Sequence, residues 1–197
     1  PCPAVTRYVE LNHPDLIEYL SPIGSPVHNL AVYVASLHPQ AELALISPCL
    51  AKCREFQNSG LVKYNVTYQH LVKIFERHGI KLDNLEDAGF DNQIPAGVTA
   101  NFSTPGGLKA SYLYHYPDTP ASEIAQIEGP AVFEHYLRDL AKHIRRGENH
   151  LPLIVDILSC EKGCNMGVGC IDKKIVYSEY RVAKRSEEGI SDAELNR

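Results

Sequence analysis

The feature that most constrains this chain is residues 151–170, an apolar run that breaks into a corner of cysteines and glycines. Leu151-Pro152-Leu153-Ile154-Val155-Asp156-Ile157-Leu158 is dominated by leucyl and β-branched side chains, the composition of a strand buried in a parallel sheet. The chain leaves that strand through Cys160, three residues, and then Cys164, with Gly163, Gly167 and Gly169 close by. Thiolates this near to one another suit soft metal ions, and clustered glycines let the backbone bend tightly or approach a bulky inorganic group. Two structural thiols beside a loop are the ordinary alternative. Recurrence of the pattern elsewhere in the chain weighs against it.

The recurrence is at residues 41–56. An apolar segment ending at Ile46 runs directly into Ser47-Pro48-Cys49-Leu50-Ala51-Lys52-Cys53-Arg54-Glu55-Phe56, which begins as a loop and turns into a helix. Open parallel sheets place their ligands at the carboxyl ends of strands, so two strands ending in cysteines imply one shared site. Cys2, Cys49, Cys160 and Cys164 are the candidates for a four-thiolate set, which holds either zinc or an iron–sulfur cluster. Only Cys160 and Cys164 form a close pair, with a gap unusual for zinc, so the spacing leans towards iron–sulfur. Lys52 and Glu55 are one helical turn apart and share a face. Cys53 and Cys170 read as ordinary small residues.

The remaining chain alternates short strands with helices. Helix is expected over residues 4–20, with a break near Asn12 and His13. A second helix is capped by Ser25, opens with Pro26 and buries Leu30, Val32, Tyr33, Val34 and Leu37. Residues 64–67 read as extended. Thr67 caps a helix whose apolar face is Leu71, Val72, Ile74 and Phe75, and residues 98–102 read as a strand. Residues 102–107 turn into a helix near Leu108, and residues 130–146 form the longest helix. This grammar gives an α/β fold, parallel sheets flanked by helices, in one domain over residues 1–197.

Composition narrows the class. The net charge is −5 with the cations scattered, which gives no electrostatic case for nucleic acid or an anionic membrane. No apolar run reaches the ~20 residues of a membrane span. Six cysteines without the spacing of a secreted scaffold imply a reducing, cytoplasmic compartment. The chain begins with Pro1 rather than Met, and Ser191-Asp192-Ala193-Glu194 has the form of a capping box with little chain after it. The expectation is an excerpt of a longer protein.

Cys2-Pro3, Ser47-Pro48-Cys49-Leu50-Ala51-Lys52 with Glu55, and Cys160-Glu161-Lys162-Gly163-Cys164 with Gly167 and Gly169 resemble the three signature motifs of the iron-only (FeFe) hydrogenase active-site domain, in the same order. Residues 102–107 resemble the glycine-rich segment between the second and third motifs. The resemblance implies that Cys2, Cys49, Cys160 and Cys164 bind the four-iron four-sulfur (4Fe-4S) half of the H-cluster. It implies that Cys164 bridges to the two-iron subcluster and that Lys52 hydrogen-bonds a cyanide there. Glu55 would support Lys52, and Phe102, Gly106, Gly107, Gly167 and Gly169 would line the cofactor. Hydrogen and protons would be the reactants, and a ferredoxin-like electron donor or attached signalling domains the partners.

The departures from the pattern are informative. Catalytic family members carry a proton-relaying cysteine immediately before the first ligand, where this chain has Pro1. Ser47 and Leu158 stand where methionines are usual, and Ser21, in a Ser-Pro-rich joint, is a weak match to a family serine on the proton route. Without the relay, turnover should fall by about 10²–10⁴-fold. The wording of the second and third motifs is also similar to the sensory branch of the family. The expected function is therefore a hydrogen- or redox-sensing domain with low turnover. A catalytic hydrogenase and an iron–sulfur assembly-type protein are the alternatives, and a structural zinc domain is more distant.

Overall fold

The computed structural model describes residues 2–86, 88 and 97–171. Among them, six α-helices alternate with four short strands. Helix α1 spans Pro3–Asn12, α2 Pro26–Leu37, α3 Lys52–Ser59, α4 Tyr68–Arg77, α5 Gly107–His115 and α6 Pro130–Arg145. Strands β1 (Leu43–Ser47) and β2 (Val62–Thr67) form one parallel pair, and β3 (Ile124–Glu128) and β4 (Ile154–Leu158) another. This is the mixed α/β class read from the sequence. The parallel ladders need crossovers, and α3 and α6 supply them.

The helix boundaries follow local chemistry. Ser25 accepts the His28 N–H at 3.1 Å, with Pro26 at the first helical position of α2. Thr67 accepts the His70 N–H at 3.3 Å at the start of α4. The predicted break after α1 is present: Pro14–Tyr19 is a 3-10 helix. Helix α5 is different, because Gly106 precedes it in the left-handed conformation (φ 73°) and has no side chain to cap it. The buried carboxylate of Asp156, on β4, accepts the Lys109 N–H at 3.1 Å and is also bonded by the Leu108 N–H. A strand thus caps a helix to which it is not joined in sequence.

Two apolar cores result. The larger joins Val5, Val9, Leu16, Phe133, Leu137, Ala141 and Ile157, so α1 and α6 close over β4, and Cys2 packs against its edge. The smaller consists of Ala31, Phe56 and Val62, where α2 and α3 meet the β1–β2 pair.

The structure corrects three expectations. Residues 98–102 are not a strand: Gly97–Asn101 is a 3-10 helix, opened by Gly97 at φ 53°. The Asn101 carbonyl there accepts from the Thr104 N–H and hydroxyl, leaving the segment a turn rather than a ladder partner. Strand β3 carries only five residues and went unrecognised in the sequence. In α2 the expected apolar face is not buried. Leu30, Val32, Tyr33 and Leu37 are all exposed, because α2 meets the small core through Ala31, with Val27 packed partly against it. Val132 of α6 is likewise exposed. The capping box at residues 191–194 and Pro1 lie outside the described residues.

Candidate metal centre at the strand ends

Each candidate cysteine is delivered by a different local device. Cys2 immediately precedes α1 in extended conformation, and its carbonyl accepts the Thr6 N–H at 3.1 Å. Its position is therefore set by the packing of α1 on the larger core. Cys49 lies two residues beyond β1 in a loop laced by polar groups. The buried Ser47 hydroxyl donates to Asn65 Oδ1 (2.6 Å) and accepts the Cys49 N–H (3.3 Å), and Asn65 Nδ2 donates to the Cys49 carbonyl (2.8 Å). Cys160 begins the turn after β4. The Gly163 N–H returns to the Cys160 carbonyl at 3.0 Å, with Lys162 left-handed at φ 59° and Gly163 at φ 81°. A non-glycine residue at positive φ is uncommon and sharpens this turn.

The loop that carries Cys164 and Gly169 is pinned to two distant segments through backbone contacts. Cys164 N–H donates to the Ser103 carbonyl at 2.7 Å, and Gly169 N–H to the Pro48 carbonyl at 2.9 Å. Gln69, at the start of α4, receives the same loop: its N–H donates to the Gly169 carbonyl, and its amide to the Val168 and Cys170 carbonyls. Glycine is required where these segments touch. A Cβ on Gly167 would lie 2.4 Å from the Pro48 carbonyl oxygen, one on Gly163 2.5 Å from that of Ser103, and one on Gly169 2.7 Å from Thr67 Cβ. Gly107 would meet the Asn101 carbonyl oxygen at 1.8 Å, and Gly106 would meet the Gln126 amide. At Gly107, Gly163 and Gly167 the missing side chain lets backbone approach backbone, whereas at Gly106 and Gly169 the nearest neighbour is a side chain. Phe102 is half-buried at the head of the glycine-rich loop.

These contacts gather the four thiols. The Cys164 thiol is pushed up to about 11, chiefly by burial and then by the neighbouring Cys2, Cys160 and Cys49, with the Lys52 ammonium pulling the other way. Cys164 thus sits within electrostatic reach of all three other cysteines and of one cation. A single zinc ion with bonds near 2.3 Å needs sulfurs only ~3.8 Å apart. Among the described residues no three His, Cys, Asp or Glu side chains converge tightly enough to hold one metal ion. Four thiolates are the donor set of either a zinc site or an iron–sulfur cluster.

Lys52 opens α3, and its ammonium lies 2.8 Å from Glu55 Oε2, with both side chains largely withdrawn from solvent (13 % and 16 % exposed). Glu55 also receives the Ser25 hydroxyl. Cys53 is exposed and accepts from Asn65 Nδ2 at 3.3 Å, and Cys170 is buried with its Sγ 3.6 Å from the Cys164 carbonyl.

Residues 1–168 match the family described as the iron only hydrogenase large subunit, C-terminal domain. The chain belongs to this family. Solved structures agree with the hydrogenase-family fold. A glutamate-to-alanine variant of the FeFe-hydrogenase HydA1 from Chlamydomonas reinhardtii superposes with a TM-score of 0.64 at 19% identity, covering 96% of this chain and 64% of that one. An FeFe-hydrogenase structure concerned with oxygen inactivation and degradation of the 2Fe subcluster gives 0.63 at 18% identity, covering 96% and 63%. The HydA(deltaEFG) structure on stepwise H-cluster assembly gives 0.59 at 18%, covering 96% and 64%. The chain thus spans less than two thirds of the length of these hydrogenases.

Several residues that shape this hydrogenase-family site escaped the sequence reading. Asn65, Gln69 and the Ser103 carbonyl act on cysteines distant in sequence, and nothing local marks them. Asp156 did carry a signal: a lone carboxylate inside an apolar strand has to be satisfied by something.

Proposed function

We propose that this domain holds an H-cluster and senses hydrogen or redox state with low turnover. The observation that supports it is the setting of Cys164, a half-buried thiol with Cys2, Cys49, Cys160 and the Lys52 ammonium near enough to act on its charge. In this reading Cys2, Cys49, Cys160 and Cys164 would hold a four-iron four-sulfur cluster, with a two-iron subcluster on the Cys164 side. The bound group would supply one-electron redox chemistry and a binding place for hydrogen.

The chain's own residues have defined tasks in that reading. A thiol must lose its proton to become a ligand, and burial opposes this at Cys164, so an iron cation is the natural replacement for the proton. Lys52 stabilises negative charge at the same place, with Glu55 holding its ammonium. Phe102, Gly106, Gly107, Gly167 and Gly169 shape the surrounding backbone. The residue before Cys2 is Pro1, whose side chain can neither give nor take a proton. That is why slow turnover, and hence sensing, is favoured over fast catalysis. A reducing cytoplasmic location and a ferredoxin-like donor or attached signalling domain complete the reading.

The test is infrared spectroscopy of the matured protein in the carbonyl and cyanide stretching region, with and without hydrogen, alongside a hydrogen-evolution assay. Bands that shift under hydrogen with little turnover are expected. Fast turnover would make the domain a catalytic hydrogenase. Iron bound at the cysteines with no such bands would make it an assembly-type iron–sulfur protein.

A further inference from the structure

The start of α2 is bound to the start of α3 through one hydroxyl. Ser25 Oγ accepts the His28 N–H at 3.1 Å, so its single proton is available for a second partner. That partner is Glu55: a carboxylate has no proton to offer, so the hydroxyl donates and the Glu55 Oε1 accepts. The other carboxylate oxygen, Oε2, takes the Lys52 ammonium at 2.8 Å. Each oxygen of Glu55 therefore has its own partner, Lys52 from the same helix and Ser25 from 30 residues away in sequence. The Lys52 ammonium is close enough to the cysteine centre for its charge to act on Cys164.

A lysine has four rotatable bonds and a strong preference for water, so an ammonium mostly withdrawn from solvent has to be held there. Glu55 is one partner that holds it, at 2.8 Å. A glutamate on a short helix has rotamer freedom of its own, and a carboxylate fixed at one oxygen only can still swing. The Ser25 hydroxyl removes that freedom. N-capping alone accounts for the bond from His28 to Ser25, but it gives no reason for the bond from Ser25 to Glu55.

We infer that Ser25 is a positioning residue for the cysteine centre, fixing the Glu55 carboxylate and through it the Lys52 ammonium beside Cys164. The consequence for a bound cluster rests on the four-cysteine reading above; the placement of Lys52 does not. With Lys52 held close, gaining an electron at the centre is easier than with the ammonium released into solvent.

Two substitutions separate this role from capping. Glycine is nearly as good an N-cap as serine but has no hydroxyl, whereas threonine keeps both the cap and the donor. In the metal-free chain, competitive acetylation with acetic anhydride is read by mass spectrometry at Lys52, with exposed Lys73 as the internal reference. Ser25→Gly should raise the relative acetylation rate of Lys52 by about threefold or more, and Ser25→Thr should leave it at the parent value. No change in Ser25→Gly, or an equal rise in both variants, overturns the inference.

The second readout uses the chain reconstituted anaerobically with iron and sulfide. At a fixed ambient potential, the ratio of reduced to oxidised cluster in Ser25→Gly should fall about threefold, and Ser25→Thr should restore it. An unchanged ratio in Ser25→Gly overturns the electrostatic consequence. If the parent chain assembles no cluster, the four-cysteine reading fails, and the acetylation comparison still decides the placement of Lys52.

Discussion

The two cysteine-bearing corners of this domain are built on different physical principles. The β4 corner, with Cys160 and Cys164, grows from a strand whose last three residues, Asp156, Ile157 and Leu158, are buried. It rests on the larger core under α1 and α6. The β1 corner, with Cys49, grows from a strand that exposes Ala44 and Ile46, and its core is three residues. What the second corner lacks in apolar burial it makes up in hydrogen bonds. Ser47, Asn65, Pro48 and Gln69 lace it to itself and to the loop after Cys164. Burial is strong and non-directional, whereas a net hydrogen bond is worth only ~1 kcal/mol but fixes direction. One corner supplies stability and the other supplies registration.

That contrast can be broken most severely at Phe133. Phe133→Ala empties the middle of the larger core and should cost about 3–5 kcal/mol in urea unfolding. Because Cys2 packs on the same core, iron uptake on reconstitution should fall with it.

Gly167→Ala attacks the junction between the corners. Its Cβ would stand 2.4 Å from the Pro48 carbonyl oxygen and 2.9 Å from that of Cys164, so the two segments must part. A loss of about 1–3 kcal/mol is expected. The diagnostic result is a drop in iron content with the far-ultraviolet circular dichroism unchanged.

Asn65→Ala sharpens the comparison from the polar side. It removes the donor to the Cys49 carbonyl and the acceptor of the Ser47 hydroxyl, both half-buried or deeper. The stability cost should be about 1–2 kcal/mol. If the β1 corner is registered by this lace, the loss of bound iron should exceed what that modest cost explains.

The smallest effect is expected at Asp156 and depends on pH. Burial holds its carboxyl above the ordinary value, with the Lys109 and Leu108 N–H groups pulling it partly back. The folded state therefore keeps the proton longer than the unfolded state. The cost of ionising this group is absent below the ordinary carboxylate range and fully present once pH passes the raised folded value. Asp156→Asn has no such cost, and its amide oxygen still accepts an N–H of α5. Urea unfolding across this range should show the variant gaining on the parent as pH rises, by under about 1 kcal/mol at neutral pH. A difference that does not vary with pH would mean that Asp156 acts only as a cap.

How much of this was legible in the sequence varies by the range of the forces involved. The caps at Ser25 and Thr67, the helix of residues 130–146, and strands ending just before Cys49 and Cys160 are short-range features, and the chain forms them where its sequence indicates. The stretch at residues 98–102 misled because its side chains favour a strand, while the left-handed Gly97 and the Asn101 carbonyl commit it to a turn. The apolar face of α2 misled in another way. Periodicity says which face of a helix is apolar, and only a neighbour decides whether that face is covered.

By itself the sequence determined the alternation of strands and helices, the four candidate thiols and the family motifs that contain them. Each of these depends on residues within a few positions of one another. Tertiary structure alone decided that α1 presses Cys2 towards the strand ends. It also decided that Asp156 caps a helix it does not belong to, and that Ser25 reaches Glu55. Those contacts join residues dozens of positions apart, where closing the chain costs entropy that only the packed cores and their backbone junctions offset.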